Sequence, residues 1–297
     1  MSVKHPIIGV TGSSGAGTST ATRVMEDIFA QLGLNAAIIE GDAFHAYDRQ
    51  QVRQALERAR IRGEHFSLFG PSANLLDRLE STLREYGERG SGLTRHYLHT
   101  DEEAEDAGQA AGTFTPWERL PADTDVLFYE GLHGGFASED VNIAGHMDLL
   151  IGVTPVINLE WIQKINRDTA ERGYQPEEVT GTILRRLPDY VNYITPQFSR
   201  TDINFQRVPL VDTSNPFVVR QIPTPEETLF VVHFNEHSRI HSDFELLKRE
   251  LPGAFRSHEQ TLVVPGPLQA QAMELILRPA VEQLARRRVE ALRKAGA

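Results

Sequence analysis

Ile7-Ile8-Gly9-Val10-Thr11-Gly12-Ser13-Ser14-Gly15-Ala16-Gly17-Thr18-Ser19-Thr20 is the stretch on which the fold turns. A β-branched run breaks into glycines and hydroxyls, after which Ala21, Val24, Met25, Ile28 and Phe29 recur at helical spacing. Strand, glycine-rich turn and helix in that order are the layout of a phosphate-binding loop. Glycines let the backbone curl with its N–H groups inward, and the helix that follows turns its positive dipole end toward an anion. Gly12, Gly17 and Ser19 fit the spacing G-x-x-x-x-G-K-[ST], but Thr18 stands where the pattern has lysine. Tight structural turns also use glycine and serine. They do not need Gly12, Gly15 and Gly17 together with a strand before and a helix after.

Working outward, the strand Ala36–Glu40 ends in Gly41-Asp42-Ala43-Phe44-His45. A parallel sheet collects ligands outside the carboxyl ends of its strands, which places Asp42 and His45 beside the phosphate loop. A solvated turn aspartate is the plainer alternative. His45, Arg49 and Arg53 recur every four residues, so a helix there would align them on one face, whether for an anion or for water. The apolar run 125–131 ends in Glu130, the form of a Walker B strand whose acid faces a metal beside the phosphates. Ser19 fills the hydroxyl position of the loop pattern, and Ser19 and Glu130 are the expected metal ligands. Further on, Lys164, Asp168 and Arg172 lie four apart and Arg167 adds a charge. Such a helix face suits a lid closing over polyphosphate, although an exposed salt-bridge ladder has the same spacing.

The remaining pattern predicts an insertion on the sheet at 54–125. Its helical stripe of Leu75, Leu76, Leu79, Leu83 and Tyr86 reads as core packing, and a polar loop follows at 87–92. Further strands are expected at Leu149–Val153, 208–211, Thr228–Phe234 and 262–265, and a long helix at about 268–292. No internal repeat or low-complexity linker divides the chain, so 1–297 reads as a single domain. The fold class expected is α/β: a three-layer sandwich of the P-loop NTP hydrolase, nucleoside-monophosphate-kinase-like type. Its mixed, mostly parallel sheet would carry helices on both faces. A net charge of −11 argues against nucleic acid or an anionic membrane as partner. No apolar run reaches the roughly 18 residues of a membrane span, and a strand so near the start leaves no room for a signal peptide, so a cytoplasmic protein is expected. The absence of cysteine excludes disulfides, thiolate metal sites and thiol redox control.

Several blocks together resemble the phosphoribulokinase family in its bacterial form, over nearly the whole chain. They are the loop 12–20 with threonine in the lysine position, Glu40-Gly41-Asp42-Ala43-Phe44-His45, Tyr129-Glu130-Gly131-Leu132-His133-Gly134, 158–173, 200–207 and 212–217. The loop alone is shared with uridine kinase and pantothenate kinase, whereas 158–173 and 200–217 are the specific blocks. The resemblance implies transfer of the γ-phosphoryl of ATP, with Mg²⁺, to the 1-hydroxyl of ribulose 5-phosphate, giving ribulose 1,5-bisphosphate for the Calvin cycle. By the same resemblance residues 12–20 hold ATP, Asp42 is the general base and Glu130 the Walker B acid. Lys164 and Arg167 match positions that stabilise nucleotide and transition state, and Asp168 matches a second catalytic carboxylate. His45, Arg49, Arg53, Tyr97, His99 and Arg172 match positions that hold the sugar phosphate. The bacterial form is similar to a homo-oligomer, typically an octamer, activated by NADH and inhibited by AMP. Arg186 and Arg256 match its effector-linked arginines, and His233 stands where a close relative has arginine. Plant-type members carry a switch cysteine inside the loop; Ala16 and Thr18 stand there in this chain, which makes that switch impossible. Two alternatives remain: another small-molecule P-loop kinase such as uridine kinase, and an inactive nucleotide-binding regulator, which the missing loop lysine would suit. Lys164 is the only lysine between Lys4 and Lys248 and is expected to supply the missing charge from the lid.

Overall fold

β1 (Ile7–Thr11) is buried at every position, a run without alternation because both of its faces are covered. The computed structural model describes residues 3–13, 15–170, 173–218 and 221–295. After β1 come α1 (Thr18–Leu32), β2 (Ala36–Glu40), α2 (Arg49–Arg62), α3 (Leu76–Arg89), β3 (Leu93–Thr94), α4 (Asp101–Asp106), β4 (Glu118–Arg119) and β5 (Val126–Gly131). They are followed by β6 (Leu149–Val153), α5 (Ile157–Ala170), α6 (Pro176–Asp189), β7 (Ile203–Pro209) and β8 (Thr228–Phe234). The chain ends with α7 (Phe244–Glu250), β9 (Phe255–His258), β10 (Thr261–Pro265) and α8 (Gln269–Ala295).

Among the described residues the main sheet has eight strands in the order β2-β5-β1-β6-β7-β8-β10-β9. The five from β2 to β7 pair in parallel, and β8, β10 and β9 extend the sheet antiparallel. This is the mixed, mostly parallel sheet the sequence leads one to expect. The period of two along β1 divides the core. Ile8 and Val10 pack with Val24, Met25, Ile28 and Phe29 of α1 and with Met273, Ile276 and Leu277 of α8. Ile7 faces the other side, where Leu76, Leu79, Leu83 and Tyr86 of α3 meet Ile39, Leu127 and Tyr129.

Several boundaries differ from the sequence reading. The expected polar loop at 87–92 is helical to Arg89, because Gly90 with φ 67° supplies the left-handed stop rather than Gly87. The strand expected at 208–211 is Ile203–Pro209, since its buried part, Ile203, Asn204 and Phe205, precedes the segment that looked most β-like. α6 and the edge strand β9 were not foreseen: β9 is exposed throughout, whereas α6 carries an apolar stripe of Val179, Ile183 and Leu187 that the sequence reading passed over.

α3 docks on the core through its apolar face, so Leu83→Ala, which empties a fully buried position, is expected to cost about 2–5 kcal/mol. Denaturant unfolding checks this; a loss under about 1 kcal/mol would mean that α3 is not anchored through this face.

Candidate active site

The parallel register brings the functional strand ends to one level. Val10 lies opposite Glu130, Thr11 opposite Gly131 and Gly152, and Glu40 opposite Glu130. The loop after β1 therefore opens between the tips of β5 and β6, with the turn after β2 beside it. Gly15 (φ 102°) and Gly17 (φ 103°) take the left-handed conformation that lets the loop curl. Gly12 is pressed from inside: a Cβ there would sit 2.8 Å from Thr18 Cγ2 and 2.8 Å from the Val153 carbonyl oxygen. Ser13 is buried, with its hydroxyl toward the Glu160 carboxyl.

Thr18 opens α1 with its side chain turned inward, and its hydroxyl reaches the Glu130 carboxyl. Ser19, the hydroxyl assigned to the metal from the pattern, is instead exposed. The left-handed Gly17 places the first helical residue, not the second, toward the sheet. Burial raises the Glu130 carboxyl to about 7, with Asp42 and Glu40 adding to the rise and Thr18 opposing it. Carboxylates of Glu130, Asp42 and Glu40 gathered beside a glycine cradle fit a divalent cation bound to phosphates. Ser14 and Arg172, both assigned to the site from the sequence, lie outside the described residues.

Asp42 sits in a single 3-10 turn, Gly41–Phe44, that β2 runs into. Its two oxygens meet two histidines: Oδ1 is 3.1 Å from His45 Nε2 and Oδ2 is 3.6 Å from His99 Nε2. His45 is not on the helix with Arg49. Asp48 caps α2 by accepting from the Gln51 N–H at 2.7 Å, and Gln51 caps in return, so the helix starts at Arg49 and His45 lies before it. The four-residue spacing of His45, Arg49 and Arg53 is therefore not one helix face. Arg49 Nη2 donates to the His99 carbonyl at 2.8 Å, which ties α2 to the segment carrying Tyr97 and His99, whose rings meet edge to face at 4.8 Å. Arg53 is exposed one turn further along.

The turn is clamped from behind by Arg95, which the sequence reading passed over. Its Nε donates to the Ala43 carbonyl at 2.7 Å and its Nη2 to the His45 carbonyl at 2.6 Å. Its guanidinium carbon lies 3.6 Å from the Phe114 ring centroid and 4.6 Å from that of Trp117. Burial, with the Arg78 charge nearby, lowers Arg95 to about 10. A planar fork can hold two carbonyls two residues apart while its faces stack on rings; lysine cannot.

α5 rests on the phosphate loop. A Cβ on Gly15 would lie 3.2 Å from the Glu160 carbonyl oxygen and 3.8 Å from Lys164 Cβ. Lys164 pairs with Asp168 Oδ2, and Arg167 donates to Asp168 Oδ1 through Nε at 3.0 Å and Nη2 at 2.8 Å. Burial and the Arg186 charge lower Lys164 to about 8 against the pull of Asp168. Burial alone would raise Asp168, but Lys164 and Arg167 hold it below the usual carboxylate range. Arg186, read from the sequence as an effector position, lies within electrostatic reach of Asp42, Asp168, Glu160 and Lys164 and faces the Phe69 ring at 5.1 Å. Arg256 and His233 are elsewhere, exposed on β9 and β8 at the antiparallel end of the sheet. The structure thus separates Arg186 from Arg256, the two arginines expected to be effector-linked.

A sequence profile of the Phosphoribulokinase / Uridine kinase family matches residues 7–214. A protein named probable phosphoribulokinase from Escherichia coli (strain K12) is 55% identical over 96% of this chain and 98% of its own. The chromosomal phosphoribulokinase of Cupriavidus necator is 54% identical over 98% and 99%. A solved structure, phosphoribulokinase from Rhodobacter spheroides, superposes with a TM-score of 0.88 at 49% identity, covering 97% of this chain and 99% of that one.

Glu160 is 5% exposed, and its carboxyl faces Ser13. Burial raises it to about 7, against Ser13, Lys164 and Arg186. A raised carboxylate holds its proton more tightly folded than unfolded, so its contribution to stability falls as pH rises from about 4.5 to 7. Glu160→Gln should therefore leave the ligand-free protein about as stable near pH 4 and more stable at pH 8 by on the order of 1–3 kcal/mol. Thermal unfolding at the two pH values checks this; equal shifts at both would mean the carboxyl is not strained.

Proposed function

The chain belongs to the Phosphoribulokinase / Uridine kinase family, and from that premise we propose that it transfers the γ-phosphoryl of ATP to the 1-hydroxyl of ribulose 5-phosphate. The product is ribulose 1,5-bisphosphate, the compound that enters carbon fixation in the Calvin cycle. What carries this reading is the meeting of Asp42, His45 and His99 at the tip of β2, beside Glu130 and the phosphate loop. Asp42 is the general base. It takes the 1-hydroxyl proton as the substrate oxygen bonds to the γ-phosphorus and the bond from that phosphorus to the bridging oxygen of ADP breaks. The transition state is loose and the proton leaves late, so a carboxylate of ordinary basicity suffices. His45, Arg49, Arg53, Tyr97, His99 and Arg172 hold the sugar phosphate. The backbone N–H groups of residues 12–20 cradle the nucleotide phosphates. Glu130, with the hydroxyl of Thr18 or Ser19, holds a divalent cation, Mg²⁺ in our reading, which when bound neutralises charge on the phosphates. Lys164 and Arg167 stabilise the charge on the transferring group from α5, and Asp168 aims both.

A nucleoside acceptor carries no phosphate and has no use for His45, Arg49 and His99 around the base, which favours a sugar phosphate over uridine. An inactive regulator has no need of Asp42, Glu130 and Asp168 together. We extend the reading to regulation by NADH as activator and AMP as inhibitor in a cytoplasmic homo-oligomer, an octamer by the resemblance. Arg256 on the edge strand β9 and Arg186 nearer the chemistry are the candidate effector groups. No helix among the described residues is long and apolar enough to cross a membrane.

A coupled assay with ribulose 5-phosphate, ribose 5-phosphate and uridine in parallel tests the substrate; turnover of uridine alone would overturn the reading. In that assay Asp42→Asn is expected to keep ATP binding while cutting kcat by on the order of 10²–10⁴-fold. A kcat within tenfold of the parent would hand the role of base to Asp168. Lys164→Met is expected to lower kcat by roughly 10²–10³-fold, with Thr18→Lys in that background recovering part of the loss. An effect on ATP affinity alone would make Lys164 a ground-state binder and Arg167 the substitute for the loop lysine.

A further inference from the structure

The hydrogen bonds around Asn74 fix which of its ends faces His45. Its Nδ2 donates to the Leu68 carbonyl at 2.9 Å and to the Gly70 carbonyl at 2.8 Å. Turning the amide over would set an oxygen against two carbonyls, so the oxygen must point the other way. There Asn74 Oδ1 lies 2.7 Å from His45 Nδ1. An amide oxygen only accepts, so Nδ1 carries a proton. The other ring nitrogen, Nε2, lies 3.1 Å from a carboxylate oxygen of Asp42, which also only accepts. A ring with acceptors at both nitrogens is satisfied only as the imidazolium.

From this geometry we infer that Asn74 is a positioning residue that holds His45 doubly protonated, so that a fixed positive charge stands beside the base. The inference rests on the reading above for what that charge does: it keeps Asp42 ionised and receives the phosphate of the acceptor. The backbone makes the arrangement rigid. The Leu75 N–H donates to the Phe44 carbonyl at 2.7 Å and the Ala46 N–H to the Ala73 carbonyl at 2.9 Å, pairing the two segments across His45 and Asn74.

The other groups facing His45 do not undo this. Burial lowers its pKa, but the Asp42 charge and the hydrogen bonds to Asp42 and Asn74 raise it by more, with Arg186 of α6 opposing. His133, after β5, is lowered by burial to about 4 and is neutral. Tyr97 meets the ring edge to face at 6.4 Å, and burial keeps its phenol protonated. His99 acts through the far oxygen of Asp42.

The test is histidine ¹⁵N NMR of the full chain against pH, with His45→Asn to assign the signal, beside KM for ribulose 5-phosphate against pH. Asn74→Leu removes the acceptor. Its His45 signal should become neutral at lower pH than in the parent. KM should rise about tenfold at pH 8 but less than about twofold at pH 6, with kcat and KM for ATP nearly unchanged. Asn74→Asp restores an acceptor but not the two bonds to Leu68 and Gly70. Its His45 should stay charged to higher pH than in the parent, and KM at pH 8 should be rescued. An unchanged His45 titration in Asn74→Leu, or the same behaviour in both variants, would reduce Asn74 to a loop anchor and overturn the inference. If Asn74→Leu does not fold, the direction of the shift in Asn74→Asp decides: upward supports, unchanged or downward overturns. The NMR readout needs no turnover. A parent enzyme inactive on ribulose 5-phosphate would therefore sink the proposed function while leaving the charge on His45 to be judged separately.

Discussion

Parallel pairing of β1 with β5 on one side and β6 on the other is the constraint from which the site follows. With Val10 opposite Glu130, the acid ends level with the start of the phosphate loop, and Gly131 and Gly152 flank Thr11. A slip of one residue would exchange the faces of Tyr129 and Glu130. Tyr129 is buried in the cluster beneath α3, where a carboxylate could not be accommodated, so the core enforces the register that function uses. Both neighbours of β1 are reached by crossovers, and the crevice opens where the chain reverses direction across the sheet.

Onto that frame an acidic chain builds a local surplus of positive charge by burying cations in company. Lys164 and Arg167 share Asp168, and Arg186 lies close enough to depress the lysine. In the proposed function a phosphate group would compete with Asp168 for the same cations, which the carboxylate keeps in place until then. Arg95 is handled otherwise: carbonyls and ring faces surround it, and its charge serves the geometry of the Asp42 turn rather than a ligand.

The strand–loop–helix start, the acid at the end of β5 and the Asp42 turn were legible because each depends on local chemistry: glycines where φ must be positive and apolar runs where both faces are covered. The charge pattern of α5 was legible for the same reason. Asn74, Arg95 and Glu160 were not. Each acts through a partner distant in sequence, Asn74 on His45 and Arg95 on the carbonyls of 43 and 45, and neither periodicity nor motif records such pairings. The helical column of His45, Arg49 and Arg53 misled because the capping strength of Asp48 outweighs the spacing. Thr18, read from the sequence only as the residue in the lysine position, turns its side chain inward toward Glu130 because a left-handed Gly17 rotates the first turn of α1.

The connection between α2 and α3 has a further meaning. Ser67 donates to Asp189, at the end of α6, at 2.6 Å. The Leu68 and Gly70 carbonyls accept from Asn74, and the Phe69 carbonyl lies 3.1 Å from His133 Nε2, just beyond Glu130. Loops are where chains ordinarily absorb insertions, tags and grafts. This one cannot be lengthened by a residue without displacing the foot of α6, the turn at Asp42 or the segment after β5. It behaves as a keystone with the outward look of a linker. An engineer wanting a tolerant splice point would leave it alone and cut instead after α4, at the exposed stretch 107–110.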